Sequence, residues 1–313
     1  MSSNRTPAEP HPSRRDTLGL ALAGMAATAA PRSALAAPEA SGGPLQTRAI
    51  PHGGERLPIV GLGTAINFDV GEDAAKRDAL KGVVEALVEG GGALIDTASA
   101  YGSAETVLGE LIGPASRPRV FLATKVLRPE AAELRRSLER LKTDKVDLIQ
   151  LHNVRDPNQS LAEMRAWKEQ GLCRHVGVTT TFERDYEAAE AIIRRERPDF
   201  VQLDYSIGDR KTEARLLPAA ADSGAAVLIA LPFGRNAAFR AVRGKDLPDW
   251  AAEFGAATWG QFFLKFALGH EAVTAAIPGT NKREHMAENL AAGRGPMPDA
   301  AQRRRMVEFF TSL

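Results

Sequence analysis

Eight short apolar runs, each typical of a buried β-strand, alternate with helical patterns over most of this chain. The runs are Ile59–Gly63, Ala93–Asp96, Val120–Lys125, Val146–Leu151, Cys173–Val178, Phe200–Asp204, Ala226–Ala230 and Thr274–Ile277. Between them, apolar residues recur at helical spacing, for example in 74–89, 130–141, 160–170, 183–196 and 258–268. Alternating strands and helices predict a parallel sheet covered by helices, and eight such units predict a closed (β/α)8 TIM barrel of the α/β class.

The rest of the chain from residue 45 onward fits the same single domain. Residues 45–57, around His52-Gly53-Gly54, predict a short hairpin that closes the bottom of the barrel. Ser160 and Glu163 have the spacing of a capping box at the start of the helix in 160–170. Residues 45–313 are therefore predicted to form one barrel domain, close in size to the roughly 250 residues typical of this fold.

The first 36 residues have the pattern of an export signal. Arg14 and Arg15 precede a mildly apolar Ala/Gly-rich stretch, and Ala34-Leu35-Ala36 is a small-x-small cleavage site. This pattern resembles a twin-arginine signal, with residues 37–44 as a linker. The alternative is a disordered Ala/Pro-rich tail in which two arginines are adjacent by chance. The apolar stretch is shorter than the roughly 20 residues of a bilayer span. We therefore expect the export machinery as a partner, a periplasmic location and no permanent membrane span.

Composition excludes several classes of partner. The chain has 40 Lys and Arg against 39 Asp and Glu, a net charge of +1, with both signs interspersed. This balance predicts no binding to nucleic acid or to an anionic membrane. Cys173 is the only cysteine, so no intrachain disulfide can form. No metal site is predicted.

Three of the predicted strands end in an ionisable residue, namely Asp96, Lys125 and His152, and Tyr101 follows Asp96 by five residues. The C-terminal ends of barrel strands form the rim where chemistry occurs, so these four side chains are expected to converge. Taken singly, each also fits a structural role. Asp96 could cap a helix, Lys125 could be a solvated strand end, His152 a core histidine and Tyr101 a loop aromatic.

The order of these four residues resembles that of the aldo-keto reductases, which carry an Asp-Tyr-Lys-His tetrad. The resemblance extends from about residue 59 to residue 289. It implies that Tyr101 protonates the alkoxide formed from a carbonyl, although a free tyrosine has a pKa near 10. Lys125 would lower that pKa by stabilising the phenolate. Asp96 would hold Lys125, and His152 would orient the substrate oxygen. The hydride would come from a nicotinamide cofactor.

No G-x-G-x-x-G follows the first strand, so a Rossmann domain is not indicated. The resemblance instead implies cofactor contacts at strand ends, from Thr64, Asp96, Thr179 and Gln202. A buried glutamine without a partner is costly, which favours a ligand contact at Gln202. The loop after the seventh strand resembles the family's pyrophosphate loop, with contacts from Leu231, Phe233, Gly234 and Arg235. Its alternative is a Pro/Gly turn with an ordinary solvated Arg235.

The segment 277–289 follows the eighth strand and opens a helix, a geometry that suits an anion. Gly279, Thr280 and His285 stand where the family usually carries Lys, Ser and Arg, so Lys282 and Arg283 would supply charge from shifted positions. The candidate contacts are Thr280, Asn281, Lys282, Arg283, His285, Glu288 and Asn289. NADP(H) is the predicted cofactor, with NAD(H) as the alternative.

The sequence therefore predicts an NAD(P)H-dependent oxidoreductase that reduces aldehydes and ketones to alcohols. Its partner would be a small carbonyl or alcohol substrate. Two alternatives stay open: a nicotinamide-binding sensor or subunit with negligible turnover, and a lyase or isomerase that uses the tyrosine and lysine without a nicotinamide. Candidate pocket walls are Ile66, Asn67, Phe68, Asn153, Val154, Arg155, Phe182 and the loop of Phe233.

Overall fold

The structure is a computed structural model that describes residues 43–313. The predicted signal segment, residues 1–36, and residues 37–42 of the predicted linker lie outside the described residues. Within residues 43–313, no helix combines the length and the apolar character needed to traverse a bilayer.

All eight predicted barrel strands form, and each lies parallel to the next in chain order. They are β3 (Leu62–Gly63), β4 (Leu94–Asp96), β5 (Phe121–Val126), β6 (Val146–Leu151), β7 (Cys173–Thr180), β8 (Phe200–Asp204), β9 (Ala226–Ala230) and β10 (Ala275–Ala276). The largest differences from the predicted bounds are at β3, which begins three residues later, and at β7, which continues to Thr180.

Hydrogen bonds also join the first and last of these strands. The Gly61 N–H donates to the Ala276 carbonyl at 2.9 Å, and the Ala276 N–H donates to the Ile59 carbonyl at 2.9 Å. Nearer the rim, the Gly63 N–H donates to the Pro278 carbonyl at 3.1 Å. The segment before β3 thus pairs with β10 rather than with β4, which explains why β3 is short. The sheet closes on itself, as a (β/α)8 fold requires.

Helices cover the outside of the sheet. The first, α1 (Ala74–Glu89), begins after Asp73, whose carboxylate accepts the Lys76 N–H at 3.1 Å. Its buried face recurs at intervals of three and four residues: Leu80, Val83, Val84, Leu87 and Val88. The other helices are α2 (Ala104–Leu111), α3 (Ala131–Arg140), α4 (Ala162–Glu169), α5 (Tyr186–Glu196), α6 (Leu216–Ser223), α7 (Ala237–Ala241), α8 (Trp259–Leu268), α9 (Arg283–Ala292) and α10 (Ala300–Thr311).

The barrel interior is apolar at one end and polar at the other. Its apolar part is a buried cluster separate from the one beneath the helices, made of Leu94, Phe121, Ala123, Leu148, Phe200, Ala226, Leu228, Ala275 and Ile277. The predicted hairpin forms as β1 (Thr47–Ala49) antiparallel to β2 (Arg56–Pro58), and its Ile50 and Leu57 belong to this cluster. Toward the strand C-termini, the same inward face carries buried polar residues: Asp96, Lys125, Gln150, Thr179 and Gln202.

The predicted capping box at the start of α4 is wrong. Leu161 is the N-cap residue, so Ser160 lies one position too early to reach the third helical N–H. The Ser160 hydroxyl accepts the Ala162 N–H at 3.1 Å instead. Glu163 accepts a hydrogen bond from the Trp167 indole at 3.0 Å rather than turning back to the cap.

Candidate active site

Asp96 and Lys125 form a buried ion pair at the C-terminal end of the barrel interior. They lie on the neighbouring strands β4 and β5, and their residues are only 2% and 1% exposed. The Lys125 ammonium contacts an Asp96 carboxylate oxygen and donates to the Thr97 carbonyl at 2.9 Å. Burial alone would lower the pKa of Lys125, but the charge of Asp96 and the nearby Tyr101 outweigh burial and raise it. Lys125 is therefore a cation at neutral pH.

Tyr101 lies beside both Lys125 and His152. The Lys125 Nζ atom is 4.9 Å from the centroid of the Tyr101 ring. The Tyr101 and His152 rings meet edge to face, with centroids 5.6 Å apart and planes at 84°. The structure thus brings together the four residues that the sequence pattern selected. A phenol next to a buried ammonium can donate a proton more readily, because the cation stabilises the phenolate that remains.

His152 is neutral in this environment. Burial and, to a lesser extent, the charge of Lys125 lower the pKa of His152 to about 4. Its Nδ1 atom is buried without a hydrogen-bond partner in the part of the chain that the structure describes. A neutral imidazole donates from one ring nitrogen and accepts at the other, so it can orient a carbonyl oxygen without adding charge.

The loop that carries the candidate proton donor is held from both sides. The Ser99 hydroxyl donates to the Glu133 carboxylate at 2.6 Å. On the other side, the Ser103 N–H and hydroxyl each donate to the Asp69 carboxylate at 2.9 Å. Gly102 has φ of +56°, and a Cβ there would lie 2.3 Å from the same carboxylate, so glycine is required. Asp69 and Glu133 could not be identified from the sequence pattern, because each contacts a loop more than 30 residues away.

Gln150 is a further polar residue of the site, which the sequence pattern did not indicate. It lies on β6, two residues before His152, and its Nε2 donates to Asp96 Oδ1 at 2.9 Å. Gln202, on β8, donates from Nε2 to Asp96 Oδ2 at 3.3 Å. Asp96 therefore accepts from one ammonium and two amides, a set of donors that suits the ionised carboxylate.

The residues predicted to contact the nicotinamide lie in the same polar layer. Thr64 is buried, and its hydroxyl donates to the Asp96 carbonyl at 3.0 Å. Thr179 accepts the Asn153 N–H at 2.8 Å. The Gln202 Oε1 is buried and has no partner within residues 43–313. A buried acceptor without a donor is costly, and a bound carboxamide would supply that donor. The layer therefore fits a nicotinamide.

Backbone strain marks the loop after β9. Leu231, Arg235 and Asn236 have φ of 53°, 53° and 65°, in the left-handed region that non-glycine residues rarely adopt. Such strain concentrates at ligand-binding sites. A cavity of about 510 Å³ opens beside the loop, with Ser206 and Gly234 in its lining. This geometry fits the predicted pyrophosphate loop.

Phe233 of this loop faces the helices. Its ring packs against Phe239 with centroids 4.9 Å apart and ring planes tilted by 52°, and Phe239 in turn meets Phe263 edge to face. Of the other predicted pocket walls, Phe68 and Val154 lie in the segments after β3 and β6, and both side chains are buried in the main hydrophobic cluster. The Ile66 side chain is 87% exposed and is held at φ of 67° after β3.

The two cations predicted for the phosphate site at the start of α9 differ in their contacts. The Arg283 guanidinium is 2.7 Å from a Glu89 carboxylate oxygen and donates to the Gly82 carbonyl at 3.2 Å, both on α1. Lys282 is exposed, and its N–H donates to the Thr280 hydroxyl at 3.1 Å. Lys282 is therefore the better placed of the two cations for an incoming anion.

The remaining members of this segment differ in exposure. Asn281 and His285 are exposed, whereas Asn289 is buried. The Glu288 carboxylate accepts a hydrogen bond from the Thr258 hydroxyl at the start of α8.

A larger cavity, about 580 Å³, opens at the opposite end of the barrel near the hairpin. Four of its charged side chains pair with one another. Arg174 is 2.7 Å from Glu55 and 2.8 Å from Asp147, and Arg117 is 3.3 Å from Asp147. None of the four predicted catalytic residues lines this cavity.

Comparison with known proteins agrees with this geometry. The profile of the aldo/keto reductase family matches residues 59–304. Methylglyoxal reductase YeaE from Escherichia coli K12 is 30% identical over 246 residues, 75% of this chain and 85% of that protein. Methylglyoxal reductase DkgB from Escherichia coli O157:H7 is 28% identical over 256 residues, 75% of this chain and 87% of that protein.

The fold is similar to that of an aldo/keto reductase from Klebsiella pneumoniae, solved with NADP and acetate. The TM-score is 0.69 and the identity 26%, over 82% of this chain and 93% of that one. Because the family profile covers most of the described residues and a 30% identical relative is matched over most of its length, this chain belongs to the aldo/keto reductase family.

Proposed function

We propose that this protein is an NADP(H)-dependent reductase of aldehydes and ketones. The observation that carries the proposal is the buried Lys125 ammonium 4.9 Å from the Tyr101 ring, beside a neutral His152. The Klebsiella neighbour was solved with NADP, which supports the same cofactor here. Two relatives are named methylglyoxal reductases, so small 2-oxoaldehydes are the first substrates to test.

Each of the four catalytic residues has its own role in the reduction. NADPH, when bound, would provide the hydride for the carbonyl carbon. His152 hydrogen-bonds the carbonyl oxygen and sets its direction. Tyr101 transfers its hydroxyl proton to that oxygen as negative charge develops there. Lys125 stabilises the resulting phenolate, and Asp96 keeps the ammonium charged and in place.

The cofactor would be held by groups from four strand ends. Thr179 and the free Gln202 Oε1 would bind the nicotinamide carboxamide, near Thr64. Backbone N–H groups of residues 231–236 would bind the pyrophosphate. The start of α9, with Thr280 and Lys282, would bind the adenosine phosphate. Glu288 and Asn289 would contact the adenine.

We further propose that the β1–β2 hairpin closes the amino-terminal end of the barrel, with residues 45–313 forming the reductase domain. The burial of Ile50 and Leu57 within the apolar interior cluster supports this role. Residues 1–36 are proposed to be a twin-arginine signal that directs the protein to the periplasm. The sequence pattern around Arg14 and Arg15 supports that assignment.

The proposed function can be tested by titrating the purified protein with NADPH and NADH, followed by intrinsic fluorescence. A panel of aldehydes and ketones that includes methylglyoxal is then assayed for steady-state turnover. We expect tighter binding of NADPH than of NADH and repeated turnover with at least one carbonyl. Binding without turnover on the whole panel would favour a sensor, and absence of binding would overturn the proposal.

A further inference from the structure

Gln150 occupies a space that the fold keeps open for it. It is fully buried on β6, between the interior residues Leu148 and His152. Its strand partners are Lys125 on β5 and Gly177 on β7. A Cβ at position 177 would lie 3.1 Å from the Gln150 Cγ atom, tighter than ordinary contact, and 3.0 Å from the Phe200 carbonyl oxygen. The glycine thus leaves room for the glutamine side chain.

The two oxygens of Asp96 have different partners. Oδ2 accepts from Lys125 and, at 3.3 Å, from Gln202. Oδ1 accepts only from Gln150, at 2.9 Å, within residues 43–313. Without Gln150, one oxygen of a buried carboxylate would lose its donor, and the carboxylate plane would lose a point of attachment.

Packing does not account for a glutamine at this position. A carboxylate oxygen can only accept, so the Gln150 amide must present its nitrogen to Asp96, and its orientation is settled. The Oε1 atom is then buried without a partner in the described part of the chain. An aliphatic side chain of similar size would fill the space without that penalty. Compared with an aliphatic side chain, the glutamine contributes only its hydrogen bond to Asp96.

We propose that Gln150 is a positioning residue of the active site. It holds the Asp96 carboxylate in the plane that keeps the Lys125 ammonium beside Tyr101. The link to catalysis rests on the proposed function, since it assumes that Tyr101 is the proton donor. The link to the ionisation of Tyr101 does not need turnover.

The first test follows the ionisation of Tyr101 in the protein without cofactor. The chain has three tyrosines, and burial raises the pKa of both Tyr186 and Tyr205 far above the ordinary value. The tyrosinate absorbance that disappears in Tyr101→Phe identifies the signal of Tyr101. In Gln150→Leu this signal should move to higher pH, because the ammonium is less well placed to stabilise the phenolate.

The same variant should lower kcat by roughly tenfold to a hundredfold, as expected for the loss of a hydrogen bond to a charged group. The Kd for NADPH should change much less. A Gln150→Leu protein whose tyrosinate titration superposes on that of the wild type would overturn the proposal, and an unchanged kcat would remove its link to catalysis.

The second test uses Gln150→Glu, which keeps the shape of the side chain. When protonated, the introduced carboxyl can still donate to Asp96. When ionised, it places a second negative charge against Asp96, and this repulsion raises the pKa of the introduced group. The ratio of variant to wild-type kcat should therefore be near one at low pH and fall as the pH rises. A constant ratio would show that only the shape of residue 150 matters.

Gln261→Glu is the matched control. Gln261 is also buried, on α8, but its Oε1 accepts the Ala257 N–H at 2.8 Å and does not touch Asp96. Its kcat ratio should stay constant with pH. If the wild-type protein turned over no carbonyl, the proposed function would fail, yet a shifted tyrosinate titration in Gln150→Leu would still support the positioning of Lys125. An unshifted titration would reject that positioning whether or not carbonyls are reduced.

Discussion

Replacing Lys125 by methionine tests the proton-donor site and changes both stability and rate. The substitution removes the ammonium that contacts Asp96 and donates to the Thr97 carbonyl at 2.9 Å. The Asp96 carboxylate is then buried with no cation beside it. Removing one partner of a buried ion pair typically costs about 3–5 kcal/mol of unfolding free energy. Gln150 and Gln202 still donate to the carboxylate, so we expect the lower part of that range.

The effect on rate follows from the distance between Lys125 and Tyr101. Taking the Tyr101 ring centroid, 4.9 Å from Nζ, as the position of the phenolate charge, the attraction at an effective dielectric constant of about 20 is roughly 3 kcal/mol. If the transition state loses this attraction, kcat should fall roughly a hundredfold. The assay is the oxidation of NADPH by an active carbonyl over a range of pH.

Lys265→Met is a control that separates the effect on stability from the effect on kcat. Lys265 is the other fully buried lysine, but it donates to the Arg294 and Pro296 carbonyls, at 2.7 Å and 2.9 Å, and has no carboxylate partner among residues 43–313. Losing it should cost about 1–3 kcal/mol of unfolding free energy and leave kcat of the folded protein unchanged. A Lys125→Met protein with kcat within threefold of wild type and the same pH–rate profile would refute the role of Lys125.

Four further predictions concern the other predicted residues. Tyr101→Phe should lower kcat by about 10² to 10⁴ with little change in the Kd for NADPH, which fluorescence titration measures. Because burial and the nearby ammonium lower the pKa of His152 to about 4, the pH–rate profile should show no step from His152 near its ordinary value of 6.5; such a step, abolished in His152→Asn, would contradict a neutral imidazole. Lys282→Ala should weaken NADPH binding more than NADH binding by roughly tenfold, and equal weakening would remove Lys282 from the phosphate site. Arg14→Lys combined with Arg15→Lys should keep the protein in the cytosol with unchanged activity, and wild-type protein found only in the cytosol with its first residues intact would defeat the export prediction.

The barrel and its rim residues could be predicted because they depend on features that one sequence shows directly. Eight strand-like runs define the fold, and parallel strands place their C-terminal residues at one end whatever the loops do. Asp96, Lys125 and His152 therefore converge without any knowledge of loop geometry. Their order and the position of Tyr101 provide the family resemblance, which the family profile confirms.

Other features of the site depend on contacts between segments far apart in the chain, and the pattern of residues along the sequence does not show such contacts. Gln150 resembles an ordinary residue within a strand until its partner Asp96, 54 residues earlier, is placed beside it. The ion pair between Arg283 and Glu89 of α1 joins residues 194 positions apart, so the sequence pattern could not reveal it. The capping box at Ser160 failed because α4 begins one residue later than the spacing suggests.

The proposed carbonyl reduction is tested most directly by following where the hydride of the nicotinamide goes. NADPH carrying deuterium at the transferred position is incubated with the full-length protein and the carbonyl panel, and the alcohol products are analysed by mass spectrometry. The account predicts one deuterium on the carbinol carbon, many product molecules per protein molecule, and almost none with Tyr101→Phe. Wild-type protein that binds NADPH but forms no labelled alcohol, or Tyr101→Phe protein that forms as much as wild type, would contradict it.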